Sequence, residues 1–320
     1  MTNTMKAIRI HSYGSPDVLT YEDAPCPDPG TAEVLVRVYA VGINPVDWKT
    51  RAGGGVARRL HNPFPMIPGW DVSGVVEAIG PGVTDFKVGD EVFGMVRFPE
   101  VGAAYAEYVA APIEHLAVKP HSVDHIQAAA IPLAALTAWQ ALFEHGTLTS
   151  GQRLLIHGAA GGVGHLAVQV AKWKGAEVIG TGSTANLDYL HTLGLDQIID
   201  YTTTRFEDAI NPVDMVLDTV GGEILSRSFN VLKDGGELIT IAGTPKPPDP
   251  QQAEKRGLRA SGMLVHTEAS HLKQIAQLMS DGSLLANIAQ VFPLTEAKQA
   301  HESGEHRSLR RGKIVLQVRA

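Results

Sequence analysis

The chain predicts an α/β protein of two domains, one a doubly wound parallel sheet and the other mostly antiparallel β. Three observations carry this. Before about residue 123, short β-rich runs alternate with Gly/Pro turns, and no long helical period appears. From His125 onward, alanine-rich helical patterns set in, and strands and helices then alternate. Within that second part, Arg153 to Ser183 (RLLIHGAAGGVGHLAVQVAKWKGAEVIGTGS) reads as strand, glycine turn, helix, strand.

The elements follow in order. EVLVRVYAVGI, VSGVVEAIG, DEVFGMV and YAEYVAAP are the strands of the β domain. His125 to Leu148 is helical. Arg153 to His157 is a short apolar run, a buried strand, and Gly158 to Gly164 is too glycine-rich to continue it. Leu166, Val170 and Trp173, with Ala167 and Ala171 beside them, recur at helical spacing. Glu177 to Gly180 is the next β-rich run, which completes a βαβ unit. A helix around Leu187 to Leu193, then QIIDY, MVLDTVG, a helix around Ile224 to Leu232, and ELITIAG extend the alternation. Pro245 to Gln252 (PKPPDPQQ) reads as a mobile proline-rich loop, and Leu258 to Val265 as the sheet's last, apolar strand. His271 to Met279 is a helix, and GKIVLQV is a final strand that rejoins the β domain. The expected domains are therefore 1–122 with 266–320, and 123–265. No internal repeat is present.

Composition narrows the function classes. At 320 residues the chain is long enough for two domains, and 44% hydrophobic with 19% charged residues is ordinary for a globular enzyme. A net charge of −7 argues against a nucleic-acid partner, and no basic run suits an anionic membrane surface. No apolar stretch approaches the length of a membrane span, and MTNTMKAIRIHSYG lacks the apolar core of a signal peptide. Cys26 is the single cysteine, so no internal disulfide can form; a reducing, cytoplasmic location is expected.

The turn after the first strand of the βαβ unit carries Gly161, Gly162 and Gly164. Gly161 and Gly164 hold the second and third glycine positions of a dinucleotide fingerprint, while Ala159 stands at the first. Backbone N–H groups of Gly162, Val163 and Gly164 would face a pyrophosphate at the helix N-terminus. The bland reading is a glycine-rich turn that binds nothing; its place after a strand and before a helix favours the functional one. About 20 residues beyond the last glycine, an acid would take the ribose hydroxyl of NAD. No acid occurs from Gly180 to Asn186, and Asp188 falls inside the next helix. Ser183 and Thr184 can donate to a 2′-phosphate, so NADPH is expected over NADH.

At the level of whole segments the chain resembles the medium-chain dehydrogenase/reductase superfamily, in its zinc-independent, quinone-oxidoreductase-like branch. EVLVRVYAVGINPVDWKTRAG is similar to that family's early strand and active-site turn, and IPGWDVSGVVEAIGPGVTDFKVGDEVFG to its long β-hairpin segment. IPLAALTAWQAL resembles the helix leading into the cofactor domain, GAAGGVG its dinucleotide turn, and RGKIVLQV its C-terminal strand. The resemblance implies a Rossmann-type domain plus a GroES-like catalytic domain, and a homodimer that pairs the edge of the cofactor sheet. It also implies positions. Asn44 stands where zinc enzymes have a cysteine, and Gly69-Trp70-Asp71 where they have Gly-His-Glu. With Cys26 in neither segment, and none of the thirteen histidines forming a ligand pair there, no metal is expected and each histidine reads as a surface or loop residue.

Without a metal, a conjugated acceptor is the better substrate: hydride enters at carbon, the charge spreads to oxygen, and a hydrogen-bond donor suffices. Quinones or other conjugated carbonyls are therefore expected. Alkenal or enoyl double-bond reduction is the alternative enzyme, and a non-catalytic NADPH sensor or crystallin-like protein the alternative to an enzyme. Asn44 is either a donor beside the nicotinamide or a cap for the turn before Pro45. Lys49 is a second candidate donor or a solvated lysine; Trp48 walls the pocket or fills the core; Asp47 reads as structural. By resemblance, Thr137 lies by the nicotinamide and Tyr201 by the adenosine phosphate, while the lysine many relatives carry past the second strand is missing from Ala185-Asn186-Leu187. Val220 and Ile241, Ala242 and Gly243 end strands at the expected ligand side of the sheet. Lys313 either reaches the cofactor or points into water.

Overall fold

The computed structural model describes residues 4–61, 63–306 and 311–319. The chain folds into two compact units, Met1–Leu136 with His266–Ala320, and Thr137–Val265.

The first unit begins with β1 (Thr4–Arg9) and β2 (Thr20–Pro25), an antiparallel pair. Then come β3 (Glu33–Ile43), α1 (Pro45–Arg51), β4 (Asp71–Ile79), β5 (Glu91–Met95), β6 (Tyr108–Pro112) and β7 (Leu116–Val118). In β3 the residues Val34, Val36, Val38 and Ala40 are buried and the intervening ones partly exposed. That period of two is what a half-covered strand requires. The buried face meets Val72, Val76, Val92, Val109 and Leu116 in one core.

The helical stretch expected from His125 to Leu148 is broken. It forms α2 (His125–Ala129), α3 (Pro132–Gln140) and a short π-helical turn, Ala141–His145. Asp124 caps α2 by accepting the Gln127 N–H at 2.7 Å, and Pro132, which lacks an N–H, opens a new helix. Because α2 packs on β3 and β4, it belongs to the first unit, and the unit boundary lies later than the 122/123 the sequence indicates.

The second unit alternates strictly: β8 (Arg153–His157), α4 (Gly164–Lys174), β9 (Glu177–Gly182), α5 (Leu187–Thr192), β10 (Gln197–Asp200), α6 (Phe206–Ala209), β11 (Val213–Asp218), α7 (Glu223–Arg227), β12 (Leu232–Thr240), α8 (Pro250–Lys255) and β13 (Arg259–Gly262). The six strands are all parallel, in the order β10-β9-β8-β11-β12-β13. The order reverses between β8 and β11, and ligands of such sheets bind at the carboxyl ends near that switch. Leu154, Leu155, Ile156, Val178, Ile179, Val216 and Leu217 are buried without alternation, as strands covered on both faces must be.

Three expectations are corrected here. The helix from Ile224 to Leu232 stops at Arg227 and tightens into a 3-10 turn, Ser228–Val231, where the Ser228 hydroxyl bonds back to the Ile224 carbonyl at 2.7 Å. The proline-rich segment is half helix: Asp249 accepts the Gln252 N–H, and Pro250 occupies the first helical position. The last strand covers only Arg259–Gly262 and is largely exposed rather than apolar.

The chain then returns to the first unit through α9 (Ala269–Ser280), β14 (Ile288–Pro293), α10 (Ala297–Glu305) and β15 (Lys313–Gln317). Its main sheet runs β14-β15-β3-β4-β5-β7, with β6 also paired to β3, and only β14 and β15 are parallel. Among the described residues, no helix is long and apolar enough to cross a membrane.

Candidate active site

Three strand ends converge in the first unit. Antiparallel pairing sets Ile314 of β15 opposite Ile43 of β3, which brings Lys313 beside Asn44. Asp71 opens β4 next to them. Asn44 is the N-cap residue of α1, with extended backbone before the helix turns. Asn44 Nδ2 donates to Asp71 Oδ2 at 2.8 Å, and Lys313 Nζ donates to Asn44 Oδ1. Asp71 Oδ1 accepts the Leu133 N–H at 2.8 Å, and Lys313 Nζ lies 3.8 Å from Asp71 Oδ2. At the helix start Asp47 Oδ2 accepts the Asn44 N–H at 2.5 Å, the reciprocal bond of a capping box. Asn44, Asp47, Asp71 and Lys313 are all buried.

Two carboxyls share one ammonium here. Burial raises Asp71 to about 6, although Lys313, the Asn44 amide and the Leu133 N–H all favour its charge. Asp47 is pushed well above the carboxylate range by burial, with Asp71 adding to it, and its Oδ1 has no hydrogen-bond partner among the described residues. Burial also lowers Lys313, against the pull of both acids. The negative charge therefore concentrates on Asp71, which has donors, and not on Asp47.

A second buried chain supports the same turn. Arg51 of α1 donates to Glu305 at 2.6 Å, to the Gly14 carbonyl at 3.1 Å and to His301 Nδ1 at 3.3 Å. Arginine has only donors, so Nδ1 accepts, and the remaining ring nitrogen of neutral His301 donates to the Tyr105 hydroxyl at 3.1 Å. Burial and the Arg51 charge lower His301 to about 3. Trp48 packs edge-on to His301 as part of the core. Lys49 is exposed on α1. The sequence reading missed His301 as a buried group; its spacing from Ala297 and Ala300, on the buried face of α10, is the signal that marks it.

In the second unit the glycine turn joins β8 to α4. Gly161, Gly162 and Val163 are partly exposed and Gly164 begins the helix, so the N–H groups at 162–164 have no carbonyl one turn back within the helix. A Cβ on Gly164 would lie 2.2 Å from the Gly158 carbonyl oxygen, and Gly158 has φ of +71°. The tight approach is thus made by Gly158 with Gly164, and Gly158, outside the fingerprint count, is a residue the sequence reading missed. His157 sits beneath the turn, held between Thr181 Oγ1 at 3.3 Å and Ser228 Oγ at 3.1 Å, and burial lowers it to about 4. His157, His165 and His301 are buried, which corrects the expectation of surface histidines.

The strand ends carry the other expected contacts. Ser183 follows β9 and Tyr201 follows β10, Tyr201 exposed with its N–H on the Gly182 carbonyl at 3.1 Å. Val220 follows β11, and Ile241, Ala242 and Gly243 follow β12. Asp218, unmentioned by the sequence reading, binds these ends together. It accepts the N–H groups of Val220 and Gly221 and the Thr240 hydroxyl, the last at 2.8 Å. Thr137 is buried in α3.

The donor set does not fit zinc. Trp70 is buried with its indole N–H on the Glu100 carbonyl at 2.6 Å, and both polar atoms of the Asn44 side chain are engaged. Among the described residues, no group of three or more His, Cys, Asp or Glu is placed to hold a metal ion. The glycine turn does fit a dinucleotide: the helix starts hard against the strand's end, where a Cβ on Gly164 would strike the Gly158 carbonyl oxygen, and the N–H groups of its first turn stay open to an anion.

Comparison with known proteins agrees with this geometry. Residues 30–121 match the alcohol dehydrogenase GroES-like domain family, and residues 193–316 the family described as zinc-binding dehydrogenase. Quinone oxidoreductase from Sus scrofa is 32% identical over 98% of this chain and 97% of its own length. The chloroplastic NADPH-dependent alkenal/one oxidoreductase of Arabidopsis thaliana is 38% identical over 76% of this chain; the match spans 64% of that relative. The structure of the quinone oxidoreductase from Coxiella burnetii superposes with a TM-score of 0.90 at 39% identity, over 99% of this chain and 100% of that one. A two-unit fold, a glycine cradle at the sheet's switch point and relatives matched end to end place the chain in the medium-chain dehydrogenase/reductase superfamily, quinone-oxidoreductase-like branch, whose members bind nicotinamide cofactors.

Proposed function

We propose that this chain is a zinc-free, NADPH-dependent reductase of quinones or other conjugated carbonyls. The observation that carries the reading is the buried Asn44–Asp71–Lys313 cluster: Asn44, which by resemblance stands where the family's zinc enzymes have a cysteine, has both side-chain polar atoms tied to Asp71 and Lys313. A site with no Lewis acid suits an acceptor that delocalises its own charge, and bound NADPH supplies the hydride. The protein's part is to bind, orient and donate. The glycine turn and the N-terminus of α4 receive the pyrophosphate. Ser183 and Tyr201 are the contacts proposed for the 2′-phosphate. Asn44 has a second amide hydrogen beyond the one Asp71 accepts, and with the exposed Lys49 ammonium it is the donor proposed for the substrate oxygen or the ring carboxamide. Asp71 and Lys313 fix the plane of that amide, so the donor direction is set before substrate arrives.

The names of the relatives support the substrate class, and the Arabidopsis relative supports both NADPH and a second reading, alkenal reduction. We also propose a cytoplasmic homodimer. The exposed edge strand β13 leaves backbone groups to pair across a twofold axis. Tag-free protein should oxidise NADPH with a panel of quinones and enones, unchanged by chelators, and should scatter light as a dimer at micromolar concentration. Tight NADPH binding without turnover across the panel would favour a sensor. Stoichiometric zinc with chelator-sensitive turnover would refute the zinc-free site.

A further inference from the structure

We propose that Asp200 sets the balance between NADPH and NADH by placing a fixed carboxylate at the ribose end of the cofactor site. The proposal rests on the reading of Gly158–Gly164 as a dinucleotide turn. Counting along the chain finds no acid near Ser183, but the sheet supplies one from the neighbouring strand. Parallel pairing sets Asp200, the last residue of β10, opposite Gly182, the last residue of β9. Ser183 and Thr184, the two hydroxyls offered to a 2′-phosphate, follow directly.

The carboxylate is tightly held. Asp200 Oδ2 accepts the Thr184 hydroxyl at 2.5 Å, and Oδ1 accepts the Thr202 N–H at 2.9 Å and its hydroxyl at 2.6 Å. These donors favour the ionised form and lower Asp200 below its ordinary value. No lysine or arginine among the described residues pairs with it. The Thr184 hydroxyl is therefore turned toward an anion and away from an incoming phosphate. Ser183 Oγ accepts the Asn186 amide at 3.2 Å and keeps its own hydrogen to donate. Of the two hydroxyls that follow β9, only Ser183 thus remains to join Tyr201 at the 2′-phosphate, with an uncompensated carboxylate beside them, and like charges disfavour each other. The ribose hydroxyl of NADH carries no such charge.

The test is the affinity of the full chain for both cofactors, by fluorescence titration, in wild type, Asp200→Asn and Asp200→Ser. Serine keeps a polar group for Thr184 and Thr202 in case the amide disturbs the turn. NADPH should bind at least about tenfold more tightly to the variants, while NADH moves by less than about threefold. A ratio unchanged in either folded variant, or both affinities shifting together, overturns the assignment. A wild type that prefers NADH, with the ratio still moving in the variants, removes the NADPH preference proposed above and upholds the role of Asp200. A wild type that binds neither cofactor overturns both.

Discussion

The two regions that carry the chemistry are built in opposite ways. In the first unit, Asn44, Asp71 and Lys313 are buried side chains that satisfy one another across three strand ends, with buried Asp47 beside them on the Asn44 N–H. In the second, the glycine turn offers backbone, and Ser183, Thr184, Asp200 and Tyr201 stand at the surface ends of strands. The first arrangement couples function to folding, because each member removed leaves a charge or a polar atom without its partner. The second separates them, because exposed hydroxyls and carboxylates can change the ligand preference while the sheet beneath stays intact. Electrostatic identity is thus expensive to alter in one region and easy in the other.

Lys313→Met is the largest expected break. It strands the buried Asp71 carboxylate without its ammonium partner, and loss of one partner of a buried pair costs about 3–5 kcal/mol. Urea denaturation should show it, and the double variant Lys313→Met/Asp71→Asn should recover part of the loss. By contrast, Asp200→Asn should leave the urea midpoint much closer to that of wild type than Lys313→Met does. A Lys313→Met chain as stable as wild type would mean that the cluster is not held by its charges.

Acid sensitivity sharpens the contrast with opposite signs. His157, lowered to about 4 from an ordinary 6.5, takes up a proton more readily when unfolded. Its contribution is complete above pH 6.5 and is lost as pH falls toward 4, at roughly 1.4 kcal/mol per unit. Asp71, raised to about 6, takes up a proton more readily when folded, so its contribution grows as pH falls through 6 toward its unfolded value. Melting temperatures between pH 6.5 and 5 should fall less steeply in His157→Asn than in wild type, and more steeply in Asp71→Asn. The same slope in all three chains would contradict both assignments.

What could be read from the sequence follows from what is local. The alternation in β3, the βαβ unit around Gly164 and the return of β15 to the first sheet are periodic or contiguous, and the structure has each. Asn44 and Lys313 could be singled out one at a time, but not as partners, since 269 residues separate them and only the register of β15 on β3 joins them. Asp71 was legible only as the last residue of Gly69-Trp70-Asp71, where zinc enzymes have Gly-His-Glu, and proves to be the acceptor at the centre of the cluster. Asp200 escaped because the count ran along one strand while the acid comes from the next. Gly158 escaped because its positive φ belongs to the turn, not to the motif spacing. The short helices after residue 223 and residue 249 were set by a serine back-bond and an aspartate cap, which outweigh periodicity over a few residues.

The last test probes the exposed region by adding a charge, and its effect falls on ligand choice with little on stability. Ser183 lies just past β9, half-exposed, with its hydroxyl hydrogen available to a 2′-phosphate. A hydrogen bond to a charged group is worth about 1.5–3 kcal/mol. Ser183→Asp removes that donor and sets a second carboxylate near Asp200, while offering an acceptor to the ribose hydroxyl of NADH. NADPH affinity should fall by at least about tenfold, equivalent to 1.4 kcal/mol, with NADH affinity held or improved and the melting temperature little changed. General damage to the turn would weaken both cofactors together. A NADPH/NADH ratio that Ser183→Asp leaves untouched would place the ribose away from the end of β9 and remove Ser183 from the site.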